Sequence, residues 1–266
     1  MKTELIIVTW NNADSADVSE QKLCKSFKFF NPERKIHQIH FNRGRFRDLE
    51  IQFEKNFGCQ YEFILYRMFL LRYKLRELDM ENIVLCDTGD VTCMGNINEI
   101  PNSLDLNEYV FFGMERNQWP TDRAKEKWND YKDYSGFDRL NNCFLNAGTI
   151  LAKRETHIEL LEKCVNMVLP RMVHSTREFC AGDDQAAFTY YYNNFNQEDG
   201  SKIKLDYSNV FSTNTYKTSP EDYVMKDKRI YSKQTGIAPL FIHDNGWDHG
   251  SPRIHDYFKL DEIYRN

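Results

Sequence analysis

Short apolar runs alternate with longer amphipathic stretches along most of the chain, and this alternation predicts strands that alternate with helices. Leu5–Val8 predicts a first buried strand, residues 18–30 carry apolar positions at helical spacing, and Ile36–Phe41 predicts a second strand. A longer helix is predicted over residues 61–79 and is followed by a strand at Ile83–Cys86. The order of these elements predicts an α/β sandwich.

The second half of the chain continues this alternation, with weaker periodicity after residue 193. The spacing Thr156-x-x-Glu159 is that of a capping box, so we predict a helix that begins there and ends by Leu169. Another helix is predicted to begin at the acidic pair before Gln185. Further strands are predicted at Tyr109–Met114, 143–152, Ile203–Leu205, Val210–Phe211 and 239–242.

Composition narrows the class of protein. The 266 residues are 41% hydrophobic with a net charge of −5, which indicates a globular chain and gives no reason to expect nucleic acid or a membrane surface as partner. We predict one domain over residues 1–247 and a C-terminal tail, 248–266, that packs on or near the active site. Seven scattered cysteines and the absence of a long apolar run predict a cytoplasmic protein without a transmembrane segment.

Polar residues follow three of the predicted strands. Asp87 and Asp90 follow the strand at Ile83–Cys86, Asn146 lies in a small-residue patch of another strand, and His243 follows the last apolar run. Two carboxylates and an imidazole suit a divalent ion such as Mn²⁺, or Mg²⁺, with positions left for phosphate oxygens. The alternatives are that the aspartates cap a turn and that His243 is an interior histidine.

Other candidates lie at the ends of the first strand and in the long helix. Thr9, Trp10 and Asn11 follow the first strand, where a base or ribose can bind in an open α/β sheet, although Trp10 would also pack under a loop. Arg67 either reaches the site from its helix or belongs to a solvated face. A Walker A loop and a GxGxxG motif are both absent, which argues against P-loop and dinucleotide-binding proteins.

Five short motifs, taken in order, resemble the glycosyltransferase domain of the procollagen lysyl hydroxylases. The likeness covers about residues 60–247 and implies a single-domain GT-A fold, a UDP-sugar donor and Mn²⁺. Ala147 and Asp244 depart from the commoner Ser and Gly of that family, and the hydroxylase domains are missing, which leaves the acceptor open. The motifs are Asp87-Thr-Gly-Asp90, Glu115 with Trp119-Pro120, Leu145-Asn146-Ala147-Gly148, Asp183-Asp184-Gln185 and His243-Asp244-Asn245-Gly246.

The resemblance also implies roles for individual residues. Asp87, Asp90 and His243 correspond to metal ligands, and Arg67 corresponds to a helix lysine that faces the donor. The predicted catalytic residues are Asp183, Asp184, Asn146 and Trp119; the predicted donor-binding residues are Thr9, Trp10, Asn11, Arg67, Glu115, Gln185, Asn245 and Gly246.

Chemically, one of the paired aspartates would hydrogen-bond donor hydroxyls or stabilise a cationic sugar ring, and Asn146 would orient the sugar. A helix N-terminus also favours such carboxylates without any catalytic role. If the metal prediction is right, Asp90 and His243 lie within the coordination reach of one ion.

The predicted function is therefore metal-dependent transfer of a hexose, glucose or galactose, from a UDP-sugar to a glycan or glycoprotein acceptor, with retention implied by the resemblance. One alternative is a sugar-1-phosphate nucleotidyltransferase, but the usual Gly-rich N-terminal loop with a basic residue is absent around Trp10. Another is a non-catalytic module that binds nucleotide sugars.

Overall fold

A computed structural model describes residues 3–10, 13–41, 46–57, 63–119, 143–170, 184–200, 202–215, 218–245 and 253–264. The strands are β1 Thr3–Trp10, β2 Ile36–Phe41, β3 Asn82–Asp87, β4 Val91–Cys93, β5 Val110–Trp119, β6 Cys143–Lys153, β7 Ile203–Leu205, β8 Ser212–Asn214, β9 Tyr223–Lys226, β10 Arg229–Ser232 and β11 Phe241–His243. The helices are α1 Ala13–Phe30, α2 Arg47–Phe57, α3 Phe63–Lys74, α4 Arg154–Lys163, α5 Asp184–Asn194, α6 Ile254–Tyr257 and α7 Leu260–Ile263.

One mixed sheet contains all of these strands except β9 and β10, which form a separate hairpin. Its order is β2-β1-β3-β6-β5-β8-β11-β4, and β7 pairs with β5 off this path. Strands β3 and β5 both run antiparallel to β6, and β8 and β11 run parallel to β5. The carboxyl ends of β1, β3, β5, β8 and β11 therefore meet at one edge, which we call the carboxyl edge.

The sheet curls back on itself. Five strand spacings separate β3 from β4 in the sheet order, which would be about 24 Å in a flat sheet. Only Thr88, Gly89 and Asp90 connect these two strands, and a chain of that length spans at most about 14 Å. The far end of the sheet, with β11 and β4, must therefore return toward β3, which explains how the last strand reaches the site.

Apolar side chains fill both faces of the sheet. On one face, α2, α3, α4 and α5 pack through residues such as Phe69, Leu161 and Phe188 against Leu85 and Phe112. On the other face, α1 packs through Leu23 and Phe27 against Leu5, Val84 and Phe241. Near-continuous apolar strands are expected for a sheet covered on both faces, and they give the α/β sandwich that the sequence predicts.

Most predicted elements are confirmed, several with shifted ends, and two of these shifts have a visible cause. Helix α4 begins at Arg154, not after a Thr156 cap, because the Thr156 hydroxyl donates to the Leu106 and Asn107 carbonyl oxygens. Strand β8 begins two residues later than predicted. The Asp206 carboxylate accepts hydrogen bonds from the backbone N–H groups of residues 210–212, which holds that segment in a turn.

The last described segment, residues 253–264, packs Ile254, Leu260 and Tyr264 into a small apolar cluster with Met94 and Ile242. These two partners belong to β11 and to the end of the β4 segment, so the segment covers the returning part of the sheet. Among the described residues, no helix combines the length and apolar character needed to cross a membrane.

Candidate functional site

Five polar side chains that the sequence analysis singles out converge at the carboxyl edge. Asp87 ends β3 and Asp90 precedes β4, while Glu115 lies in the second half of β5. Asn146 lies near the start of β6, which reaches the same edge because β6 runs in the opposite direction, and His243 ends β11. The direction of β6 and the curl of the sheet therefore bring residues as distant in sequence as Asp87 and His243 into one site.

His243 and Asp90 form the first contact of this site. His243 Nε2 lies 3.1 Å from Asp90 Oδ1, within the reach predicted for two ligands of one ion. Burial alone would lower the pKa of His243, but the charge and hydrogen bond of Asp90, with the charges of Asp87 and Glu115, raise it to about 9. Correspondingly, His243 lowers the pKa of Asp90 despite the burial of that carboxyl group. The site is strongly negative.

The other nitrogen of His243 is fixed by Asn146. Asn146 Nδ2 donates to Glu115 Oε1 at 2.8 Å, so Asn146 Oδ1 faces the other way, where it accepts the Gly148 backbone N–H at 2.8 Å. His243 Nδ1 lies 2.9 Å from the same Oδ1. Because that oxygen can only accept, His243 Nδ1 must carry a proton. The network therefore leaves Nε2 as the nitrogen that faces Asp90, where a metal would have to replace its proton.

Gly148 supports the ring of His243. A Cβ atom at residue 148 would lie 2.2 Å from Cε1 of His243 and 2.6 Å from Nδ1. Only a glycine leaves room for the imidazole at this place, since real Cβ contacts are never that short. The neighbour that requires a glycine at residue 148 is therefore the His243 ring.

A second charged cluster surrounds Arg67. Its Nη1 lies 2.8 Å from Asp87 Oδ1 and 3.2 Å from Asp184 Oδ2, and the side chain is almost completely buried. Burial opposes the charged form, but the two carboxylates outweigh it and raise the pKa of Arg67. Nε and Nη2 of Arg67 are buried without a hydrogen-bond partner among the described residues. Arg67 thus faces the site and retains two donor nitrogen atoms without a partner among the described residues.

The predicted metal ligands are only partly assembled. Asp87 contacts Arg67, while Asp90 contacts His243, and within the described residues no three His, Cys, Asp or Glu side chains form a metal-binding cluster. The donor set nevertheless fits an octahedral ion. Neighbouring ligand atoms of such an ion, with bonds of about 2.1 Å, lie about 3 Å apart, which is the separation of Asp90 and His243.

Two further predicted residues contact this network. Gln185 Oε1 accepts the Ala147 backbone N–H at 3.2 Å, and Asn245 Nδ2 donates to Glu115 Oε1 at 3.4 Å. Burial raises the pKa of Glu115 even though Asn146 donates to it and His243 lies nearby.

The remaining predicted residues lie at or beyond the limits of the described structure. Thr9, Trp10 and Trp119 are the final residues of β1 and β5, and only their backbone is described. Asn11, Asp183 and Gly246 lie outside the described residues.

The sequence analysis missed the polar support behind Asp90. The Asp244 backbone N–H donates to the Asp90 carbonyl oxygen at 2.7 Å, and the Asp244 carboxylate accepts the Thr215 hydroxyl at 2.8 Å and the His255 backbone N–H at 3.1 Å. Thr215 immediately follows β8 at the carboxyl edge. The sequence analysis missed Thr215 because it predicted that this strand ends at Phe211, which would leave Thr215 in a loop.

Comparisons with known proteins agree with the resemblance. A family model described as the PLOD GT domain, the glycosyltransferase domain of procollagen lysyl hydroxylases, matches residues 51–251. A search of curated protein sequences found no match.

Three solved structures show the fold of the chain. Mouse xyloside xylosyltransferase 1 in its apo form has a TM-score of 0.55 at 13% identity, over 95% of this chain and 99% of that one. A glycosyltransferase involved in the glycosylation of the major capsid of PBCV-1 has a TM-score of 0.50 at 10% identity, over 98% of both chains. The apo form of the glycosyltransferase GlyE of Streptococcus pneumoniae TIGR4 has a TM-score of 0.51 at 13% identity, over 100% of this chain and 61% of that one. The predicted single-domain GT-A fold is thereby confirmed.

Proposed function

The chain belongs to the PLOD GT domain family and is a glycosyltransferase, and on this basis we propose that it transfers a hexose from a UDP-sugar to an acceptor on a glycan or glycoprotein. Glucose and galactose are the proposed sugars, with retention of configuration. The observation that carries the proposal is the convergence of Asp90, His243, Asn146 and Glu115 at the carboxyl edge, where α/β proteins bind nucleotides.

The proposed metal is Mn²⁺, with Mg²⁺ as the alternative. Asp90 and His243 would bind it together, and Asp87 would join them from the end of β3. When bound, such an ion acts as a Lewis acid toward the diphosphate leaving group. The support for this set is the 3.1 Å separation of Asp90 and His243 and the presence of the Asp87 and Glu115 carboxylates close enough to act on His243.

We assign Asn146 a positioning role in place of the predicted contact with the sugar. Its amide accepts from His243 Nδ1 and donates to Glu115, so both ends of the side chain are already used. Glu115 fixes the orientation of the amide, and the amide fixes the tautomer of His243. Both residues then act through His243, not on the donor.

Arg67 is proposed to stabilise the leaving group. Its Nε and Nη2 atoms, which carry three buried N–H groups without a described partner, are costly unless a ligand receives them. A diphosphate that gains negative charge during the reaction is such a ligand. Asp184 holds Arg67 from the start of α5 and, with Asp183, is proposed to contact hydroxyls of the donor sugar.

The experiment is a panel of UDP-sugars with Mn²⁺, in which donor binding and UDP release are measured before any acceptor is sought. We expect binding and slow hydrolysis of UDP-glucose or UDP-galactose, with both lost or reduced at least tenfold in Asp87→Ala. The matched control is Asp48→Ala, an exposed aspartate in the first turn of α2, which should behave as the unmodified protein.

Each other function gives a different result, either in this panel or with UTP and a sugar 1-phosphate as substrates. Binding of a UDP-sugar without turnover on any acceptor would favour the non-catalytic module. Release of pyrophosphate from UTP and a sugar 1-phosphate would identify a nucleotidyltransferase. Full UDP release by a folded Asp87→Ala variant would refute the proposed site.

Two further proposals concern organisation and location. We propose that residues 1–247 form the catalytic domain and that residues 248–266 pack near its site, supported by the hydrogen bond from the His255 N–H to Asp244. The proposed cytoplasmic location rests on the scattered cysteines, among which Cys24, Cys86, Cys93 and Cys164 are free thiols.

A further inference from the structure

A cavity of about 500 Å³ lies away from the candidate site, where β7 pairs with the start of β5 and α5 ends. We call it the edge cavity. Its volume is within the range of small-ligand sites. Three tyrosines, two amides and a lysine contribute to its wall: Tyr109, Tyr192, Tyr207, Asn193, Gln197 and Lys204.

Side chains hold the wall of the edge cavity in place. The Asn196 amide donates to the Ile203 carbonyl oxygen at 3.1 Å and accepts the Ile203 N–H at 2.7 Å, which fixes β7 to the end of α5. The Asp206 carboxylate accepts the Phe211 and Ser212 N–H groups at 2.7 and 2.9 Å. The turn that carries Tyr207 is therefore ordered before any ligand binds, which lowers the cost of binding.

Tyr207 is the most exposed large apolar side chain of the described residues, at 66% exposure. Because its ring is held on a rigid turn and is mostly exposed, Tyr207 contributes little to packing. The ring is therefore available to contact a ligand. The apolar C–H face of a sugar ring suits such an aromatic face. Asn193 and Gln197 are exposed beside it, and each amide both donates and accepts, as sugar hydroxyls require.

The charges of the edge cavity favour a neutral ligand. Among the described residues, its wall contains one carboxylate, Asp105, and one ammonium group, Lys204. Lys204 Nζ lies 4.7 Å from the centre of the Tyr109 ring, so its charge already has a cation–π partner. A phosphate, a nucleotide or an acidic peptide would require uncommitted cations, which this wall does not provide.

The fold also disfavours an extended peptide at this edge. A peptide that adds a strand needs unpaired backbone groups, but β7 has three residues, and the N–H and the carbonyl oxygen of Ile203 are both bonded to Asn196. Recognition at the edge cavity must therefore depend on side chains.

We propose that the edge cavity binds a neutral oligosaccharide, at a site separate from the candidate transferase site. The two sites lie along the same strand. Phe111 borders the cavity and Glu115 belongs to the candidate site, which places them about 13 Å apart along β5. The proposal does not depend on the donor or on the metal, since none of the residues that line the cavity is among those of the candidate site.

The test uses the full chain in the presence of EDTA. The probes are linear gluco-, galacto-, manno- and xylo-oligosaccharides of three to six units, and binding is measured by saturation-transfer NMR and calorimetry. We expect at least one series to bind, with affinity reduced at least fivefold in Tyr207→Ala and in Gln197→Ala. The matched control is Tyr257→Ala, which removes another exposed tyrosine outside the cavity.

Asp87→Ala separates this proposal from the proposed function. Oligosaccharide binding that persists in Asp87→Ala supports the edge cavity even if no UDP-sugar is turned over. The proposal is wrong if no probe binds, if Tyr207→Ala and Gln197→Ala bind as tightly as the Tyr257→Ala control, or if a neutral β-strand peptide competes for the bound probe. Thermal unfolding of each variant verifies that it is folded.

Discussion

Replacing Gly148 by alanine tests the assembly of the site most directly. The substitution adds one methyl group, whose carbon would lie 2.2 Å from Cε1 of His243. Carbon atoms in favourable contact lie about 3.5 Å apart or more, so the imidazole must move by about 1.3 Å. The backbone itself accepts alanine, because Gly148 lies in β6 and does not adopt the left-handed conformation.

The loss of stability in Gly148→Ala follows from the contacts that hold the imidazole of His243. His243 is bonded to Asn146 at 2.9 Å and to Asp90 at 3.1 Å, and a shift of that size breaks at least one of the two contacts. Losing a hydrogen bond to a charged group costs about 1.5–3 kcal/mol, and overpacking adds about 1–3 kcal/mol. We expect Gly148→Ala to reduce the free energy of unfolding by about 2.5–6 kcal/mol, the sum of the two contributions.

The assay is urea unfolding in the presence of EDTA, arranged as a double-mutant cycle with His243→Ala. Once the imidazole is removed, Gly148→Ala should be neutral or should stabilise the protein by up to about 1 kcal/mol, since alanine loses less entropy than glycine in a strand. The change of sign distinguishes the ring contact from general damage to β6. Equal destabilisation in both backgrounds, or none in either, would refute the reasoning.

Three further predictions use the same unfolding measurement. Arg67→Met leaves two carboxylates in the site without their cation and should cost about 3–5 kcal/mol, whereas Arg67→Lys should cost less; equal effects would contradict the ion-pair account. Burial, with the charge of Arg67, lowers the pKa of His157 to about 3 from about 6.5, so the stability it contributes above pH 6.5 is lost as the pH falls toward 3. Between pH 6 and 4 the unfolding free energy of the unmodified protein should fall more steeply than that of His157→Leu, by up to about 1.4 kcal/mol per pH unit. Parallel curves for the two proteins would show that His157 does not contribute this pH dependence. Asp206→Ala removes the acceptor of three backbone N–H groups and should cost about 2–4 kcal/mol, with Asp206→Asn intermediate; a change below about 0.5 kcal/mol would show that the turn forms without it.

The sequence alone was sufficient for many of the elements and for singling out the polar residues that meet at the carboxyl edge. Apolar runs and helical spacing are local properties, so strands such as Ile36–Phe41 and Ile203–Leu205 have their predicted bounds. Carboxylates and an imidazole directly after apolar runs were also visible, because a buried strand can present such groups only where it emerges from the core. The apolar runs that precede them were therefore sufficient to single out Asp87, Asp90 and His243.

Other elements gave too weak a local pattern. Helix α2 and the hairpin of β9 and β10 were not predicted, and β8 was placed two residues early. The turn before β8 depends on the Asp206 carboxylate and three backbone N–H groups, which a pattern of apolar residues does not reveal.

What only the tertiary structure decided is which of these residues meet. The antiparallel direction of β6 brings Asn146 to the carboxyl edge, and the curl of the sheet brings His243 onto Gly148 and beside Asp90. Asp87, although it is three residues from Asp90, pairs instead with Arg67, which also pairs with Asp184. Sequence patterns report the burial of each residue along its own strand. Strand order, direction and curl depend on pairings between distant segments, and those pairings assign each polar residue its partner.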